Sequence, residues 1–166
     1  MFRHTIRAAS KVNRLVGFRT YAEAAAPKAT AASNKLRLSI ALPHQTVLKD
    51  KDVFQVNIPA ATGDMGILAN HVPVIEQLRP GIVEIFDSPS HSDKFFISGG
   101  FASVMPNSKM DILSVEAAAL KDFDSAAVKS QLADAKKNLD STNENVAAEA
   151  SIEVEVLEAL NAALSK

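Results

Sequence analysis

The chain has 166 residues, 47% of them apolar and 22% charged, with neither cysteine nor tryptophan, the composition of an ordinary globular protein of one or two small domains. Without cysteine there is no disulfide scaffold, thiol nucleophile, iron–sulfur cluster or cysteine-based zinc site, and no apolar run approaches the roughly 18–20 residues that a membrane-spanning helix needs. The formal charge of −1 averages two unlike parts: five of the 18 basic residues lie in residues 1–21, which hold no acid, leaving 13 basic residues against 19 acidic ones in the rest, a balance unsuited to binding nucleic acid.

In residues 1–21, Arg3, Arg7, Lys11, Arg14 and Arg19 recur every three to five positions, with Phe2, Ile6, Val12, Leu15, Val16 and Phe18 between them. Wound as a helix, the segment has one cationic and one apolar face, the composition of a mitochondrial transit peptide. Arg19-Thr20-Tyr21-Ala22 resembles a matrix-processing site, which starts the mature chain near Ala22. Residues 22–34, rich in Ala, Ser and Thr, read as a flexible leader.

From Lys35 the apolar period is two: Leu36, Leu38, Ile40 and Leu42 alternate with Lys35, Arg37, Ser39 and Ala41, the pattern of a half-buried strand. Strand-like runs follow at Val53–Ile58, Met65–Leu68, Gly81–Phe86, Lys94–Ser98, Phe101–Val104 and Met110–Val115, separated by turn signals such as Pro43, Pro59, Gly63, Arg79-Pro80-Gly81 and Gly99-Gly100. Short strands at even spacing without helical patterns among them predict an antiparallel sandwich or barrel over residues 35–118.

Beyond Leu120 the period changes. Val128, Leu132, Ala135 and Leu139 predict a helix over 125–139, with Asp122, Asp124 or Ser125 as its cap. Asp140-Ser141-Thr142-Asn143 breaks it, and Ser141-x-x-Glu144 or its neighbours supply a capping box for a second helix over 143–164. Ile152 to Val156 alternates like a strand, but an Ala/Leu/Glu-rich run of helix formers surrounds it. One stripe of this helix holds Val146, Ala150, Val154, Leu157, Leu160 and Leu164; another holds Ile152, Val156, Ala159 and Ala163. One stripe packs on the first helix; the second must cover the sandwich or another protein. Residues 119–166 are therefore an α-helical hairpin.

Catalytic patterns are missing from the sequence. His4, His44, His71 and His91 have no metal-ligand spacing. Gly63-x-x-Gly66 and Gly99-Gly100 lack the Lys-Ser/Thr of a phosphate loop, and Ser98 and Ser103 lack a nucleophile elbow. Asp64, Glu76 and Glu84 are carboxylates at a density common in any globular chain. The expectation is a binding part with no cofactor, no metal and no reaction centre.

Three blocks then become decisive: Gly63-Asp64-Met65-Gly66-Ile67-Leu68-Ala69-Asn70-His71-Val72-Pro73, Leu78-Arg79-Pro80-Gly81-Ile82-Val83-Glu84, and Phe95-Phe96-Ile97-Ser98-Gly99-Gly100-Phe101. They closely resemble the signature of the ATP synthase delta/epsilon subunit family, in its mitochondrial delta branch, and Ala135-Lys136-Lys137 and Val154–Glu158 extend the resemblance across residues 35–166. The resemblance implies a β-sandwich of about ten antiparallel strands in two sheets, then a C-terminal α-helical hairpin. It implies a non-catalytic subunit of the rotor's central stalk at the matrix side of the mitochondrial inner membrane, one copy per complex. The implied partners are the gamma subunit, the small mitochondrial epsilon subunit and the c-ring, with membrane contact only through that ring.

By position in the motif, Gly63, Asp64, Met65, Gly66 and His71 match the family loop that meets the c-ring, with Asp64 at the turn's tip and open to charge-assisted hydrogen bonds. Phe96, Ile152 and Val156 are candidates for contact with gamma or epsilon; period two sends Phe95 and Ile97 to one face and Phe96 to the other. Some bacterial relatives bind ATP on the hairpin through arginine-containing motifs. Here the last arginine is Arg79, and residues 121–166 carry 5 lysines against 9 acids, a poor seat for a triphosphate. The expectation is therefore no ATP binding and no large extension of the hairpin; the alternatives are a nucleotide-sensing regulator, which the missing arginines disfavour, and a matrix enzyme with a sandwich fold, for which no site can be named.

Overall fold

The computed structural model describes residues 34–165. The transit-peptide and leader readings fall almost wholly on residues 1–33, outside the described residues. Ten strands come first: β1 (Leu36–Ala41), β2 (Thr46–Val53), β3 (Gln55–Ala60), β4 (Gly63–Leu68), β5 (Val74–Leu78), β6 (Gly81–Ser88), β7 (His91–Ile97), β8 (Gly100–Met105), β9 (Lys109–Ser114) and β10 (Ala117–Ala119). A 3-10 turn at Leu120–Asp122 leads to α1 (Ser125–Asn138) and α2 (Glu144–Leu164).

The ten-stranded architecture agrees with the expected sandwich and hairpin, but its hydrogen bonding is continuous. The path runs β10-β7-β6-β3-β5-β8-β9-β1-β2, with β4 on β3. Strand β3 is the corner: Gln55–Asn57 pair with Phe86–Glu84 of β6, whereas Ala60 pairs with Leu78 of β5. The folded sheet closes on one core, in which Leu36, Leu38, Ile40, Val56, Ile67, Ile85, Ile97 and Ile112 are fully buried. Alternation explains it: in β1 the burial follows Leu36, Leu38 and Ile40, as a pleated strand with one wet face requires.

Four expectations are corrected. The strands are not all antiparallel: β1 and β9 run parallel over Arg37↔Lys109 to Ala41↔Leu113, and period two carries no information on strand direction. The run Val53–Ile58 is split at Phe54, where β2 ends and β3 begins. Pro59, read as a turn signal, lies buried in β3 opposite Asp64, and the turn comes two residues later at Ala61-Thr62. The second helix is capped by Asn143, whose side chain accepts from the Asn145 amide, rather than by Ser141 through a capping box.

Strands β2 and β5 escape the sequence pattern. In β2 the register slips between Leu38↔Lys51 and Ile40↔Leu48. Asp50, at φ 46°, donates its amide to Ser39 Oγ at 3.3 Å inside that bulge, so its alternation is broken where the charges cluster. The first helix follows its reading, with Asp124 as the cap accepting from the Ala126 amide at 2.9 Å.

The hairpin has its own small core. Val128, Ala135, Leu157, Leu160 and Ala163 gather with Phe96 of β7, and Ile82, Leu120 and Phe123 pack around them. Phe96 and Phe123 meet edge to face, centroids 5.8 Å apart at 80°, a geometry aromatic quadrupoles favour. A Lys136–Glu158 ion pair at 2.8 Å adds a link between the helices.

Candidate interaction sites

Each of the expected site residues has a definite place, and the structure separates two that the motif joined. Gly63, Asp64, Met65 and Gly66 are the first four residues of β4. His71 lies beyond the other end of β4, past the Ala69-Asn70 turn, a strand length of about 17 Å away at 3.4 Å per residue. They form two surfaces at opposite ends of the sandwich, not one loop.

At the first end, Ala61-Thr62 joins β3 to β4, and Ala60 pairs with Gly63. Gly63 sits at φ 135°, which lets the chain leave so tight a turn without a Cβ penalty. Asp64 stands just behind the tip, not on it, and its Oδ1 already accepts from Arg79 Nη2 at 2.6 Å. The pair is 51% and 78% exposed, so solvent screens it and its contribution to stability is small. Thr62 Oγ1 donates to Glu76 Oε2 at 3.3 Å. Asp64, Met65 and Gly66 also border a cleft of about 670 Å³ between β3, β4, β6 and the alanines Ala159, Ala162 and Ala163 of α2. Asn57, Glu84 and Lys94 give that cleft a polar, charge-balanced lining.

At the other end His71 closes the turn, its amide donating to Leu68 O at 3.3 Å, and its Nδ1 lies 2.8 Å from Val72 O. Asn70, at φ 61°, is tied to the β8–β9 loop, its amide donating to Ser108 Oγ at 2.8 Å.

Sequence reasoning missed a third surface. On the outer face of β5, β8 and β9, register sets Gln77 beside Phe101 and Phe101 beside Leu113, with Ile75 and Ser103 in the next row. Ile75 is 74% exposed, Leu113 60%, Phe101 55% and the following Val115 68%. Exposed apolar side chains at Ile75, Phe101 and Leu113, with Val115 just beyond β9, are the kind of patch that marks an interaction site. The signal existed in Phe101, Leu113 and Val115, which fall out of phase with the buried Ala102, Val104 and Ile112.

Phe96, named as a partner contact, is buried at 4% under the hairpin, whereas Phe95 and Ile97 face the sandwich core. Val156 lines an apolar groove of about 450 Å³ between α2, Phe123, Ala117 and the Leu42–Gln45 segment. Ile152 points away from the chain, 66% exposed.

Among the described residues, one cluster has metal-ligand composition: Asp87, His91 and Asp93 at the β6–β7 hairpin. Lys51 already occupies it, 3.0 Å from Asp87 and 3.4 Å from Asp93. Burial opposes the Lys51 charge, yet hydrogen bonds and attraction from the two carboxylates outweigh it and raise its pKa.

The architecture is a folded β-sheet with an open apolar face, followed by a helical hairpin with its own core. Residues 35–119 match the family model described as ATP synthase, Delta/Epsilon chain, beta-sandwich domain. Residues 123–162 match that of the fungal epsilon subunit of F1F0-ATP synthase, C-terminal domain. The chain is similar to the mitochondrial ATP synthase subunit delta of Pichia angusta, 50% identical over 165 residues and 99% of each chain. The Kluyveromyces lactis subunit of the same name is 54% identical over 156 residues, 94% of this chain and 93% of that one. Among solved structures, a chain of the Euglena gracilis mitochondrial ATP synthase (OSCP/F1/c-ring) aligns with TM-score 0.76 and 32% identity over 84% of this chain and 87% of that one. A chain of the Tetrahymena thermophila central stalk/c-ring shares the fold at TM-score 0.56 and 17% identity, over 80% of this chain and 99% of that one. The chain belongs to the ATP synthase delta/epsilon family, in its mitochondrial delta branch. It is a subunit of the mitochondrial ATP synthase.

Proposed function

We propose that this subunit is a non-catalytic connector of the rotor, held to gamma by one face of its sandwich and to the c-ring by one end of it. The carrying observation is the open apolar face at Ile75, Phe101, Leu113 and Val115, on the layer that does not carry the hairpin. Left in water it is an association hazard; covered by gamma it anchors the subunit through burial. Fully covering such side chains is worth about 1.5–3 kcal/mol each before the costs of association. The c-ring contact falls to the Ala61-Thr62 turn with Gly63, Asp64, Met65 and Gly66. A polar tip of that kind supplies register more than affinity.

Val156 and the groove beside it, with Ile152 further along α2, suit the small mitochondrial epsilon subunit. Protons crossing the membrane sector turn the ring, the stalk passes the torque on, and nucleotide chemistry takes place on other subunits. The complex carries one copy, on the matrix side of the inner membrane, after removal of residues 1–21 as a transit peptide. No cofactor has a role in this reading.

The test is to express the chain with a tag after Lys166, solubilise mitochondria gently and identify what co-migrates on a native gel. Recovery at one copy with gamma, alpha, beta and c subunits is expected; recovery as a free protein overturns the reading. In the same assay, Ile75→Glu with Leu113→Glu is expected to cut incorporation about tenfold or more, since two charges would be buried without partners. Asp64→Lys sets two cations side by side at Arg79. It is expected to leave the subunit folded and incorporated while lowering ATP-driven proton pumping per ATP hydrolysed. Unchanged pumping yield would contradict the c-ring contact.

A further inference from the structure

The β3–β4 turn is held more firmly than its exposure would suggest. Ala61 and Thr62 lie in solvent, and a two-residue hairpin tip on the surface ordinarily frays. This one is strapped to β5 and the residue after it by five polar contacts. The Ala61 amide donates to Gln77 O at 2.8 Å, and the Arg79 amide to Pro59 O at 3.0 Å. Thr62 Oγ1 donates to Glu76 Oε2 at 3.3 Å, Arg79 Nε to Ala60 O at 3.4 Å, and Arg79 Nη2 to Asp64 Oδ1 at 2.6 Å.

The Thr62–Glu76 and Arg79–Asp64 straps are solvent-exposed and the Arg79–Ala60 bond is long, so they add little to global stability. Their consequence is geometric. Removing them leaves the fold but lets the tip move, and a tip that yields under load returns force as deformation.

The same short run also carries the open face. Ile75 stands on that face, Glu76 and Gln77 grip the turn, Leu78 is sunk in the core at 3% exposure, and Arg79 grips Asp64. We propose that Ile75–Arg79 is the force-transmitting strand of this subunit, with Arg79 and Glu76 as positioning residues that stiffen the ring-facing turn against the gamma-facing sheet. Close-packed interiors transmit strain with little compliance, and Leu78 fixes the strand to that interior midway between the two contacts. The inference rests on the reading that the turn meets the c-ring and the apolar face meets gamma.

The experiment uses the intact ATP synthase carrying Glu76→Ala with Arg79→Gln. Amide exchange over residues 60–64 is expected to rise roughly 3- to 10-fold, in line with the loss of weak surface contacts. ATP hydrolysis and subunit content stay unchanged, and protons pumped per ATP fall about twofold or more. Arg79→Lys, which keeps the charge, is expected to recover most of the pumping, a rescue that a merely structural effect would not give. Should the double variant not be incorporated, Glu76→Ala and Arg79→Gln are read singly in the same way.

Unchanged exchange overturns the strap, and raised exchange with full pumping overturns the transmission of force. A photo-cross-linker at Ala61 reads the c-ring contact separately. Failure of that cross-link to reach a c subunit sinks the underlying reading whatever the exchange result.

Discussion

Gly100→Ala is expected to lower the unfolding free energy by about 4 kcal/mol, the sum of a strained backbone and an overpacked contact. Gly100 opens β8 at φ 143°, paired with Leu78 of β5 and Ser114 of β9. A Cβ there would stand 2.0 Å from the Leu113 carbonyl oxygen and 3.0 Å from Ser114 Cα. Those are backbone atoms of β9, fixed by the ladder that pairs it with β8, so no rotamer change relieves them. Gly63 is the control: its φ is 135°, but nothing lies within 4 Å of the added Cβ. Gly63→Ala should cost only about 1–2 kcal/mol. Urea unfolding of the two variants separates them, and equal losses would contradict the account of β8 and β9.

Phe96→Ala is expected to detach the hairpin from the sandwich at a cost of about 3 kcal/mol. The residue is 4% exposed, meets Phe123 edge to face and sits among Val128, Leu157 and Leu160. Its removal deletes the link between the hairpin core and β7, while the sandwich core is built from other residues. Amides of α1 and α2 should therefore lose exchange protection while those of β1, β6 and β9 keep theirs. A uniform loss across both parts would mean that sandwich and hairpin form one cooperative unit, contrary to the separate cores described above.

These two residues mark what the sequence did and did not make legible. Alternation at Leu36, Leu38 and Ile40, and the 4-3-4 spacing of Val128, Leu132, Ala135 and Leu139, placed β1 and α1 because burial on one face is a local, periodic property. Direction and partnership are not periodic. The parallel β1–β9 pair joins segments some seventy residues apart, and nothing in either strand encodes its sense. The bulge at Asp50 and the short β5 with an outward Ile75 each disturb the period at the point where it would have been read.

The site was legible as a motif but not as a shape. The block from Gly63 to Pro73 reads as one stretch, yet β4 runs through it and carries His71 to the opposite end of the fold. Asp64 was read as free at the tip, because its partner Arg79 is 15 positions away and reaches it only when β5 ends beside the β3–β4 turn. Phe96 was correctly set on the face opposite Phe95, but only the folded hairpin decides that it is covered from within the chain.

The most direct test of the connector role places a photo-cross-linking residue at position 75 in one enzyme preparation and at position 61 in another, with cross-linked peptides identified by mass spectrometry in the assembled ATP synthase. The account predicts that position 75 captures gamma and position 61 captures a c subunit. Capture of the same subunit from both positions, or of the c-ring from position 75, would contradict it.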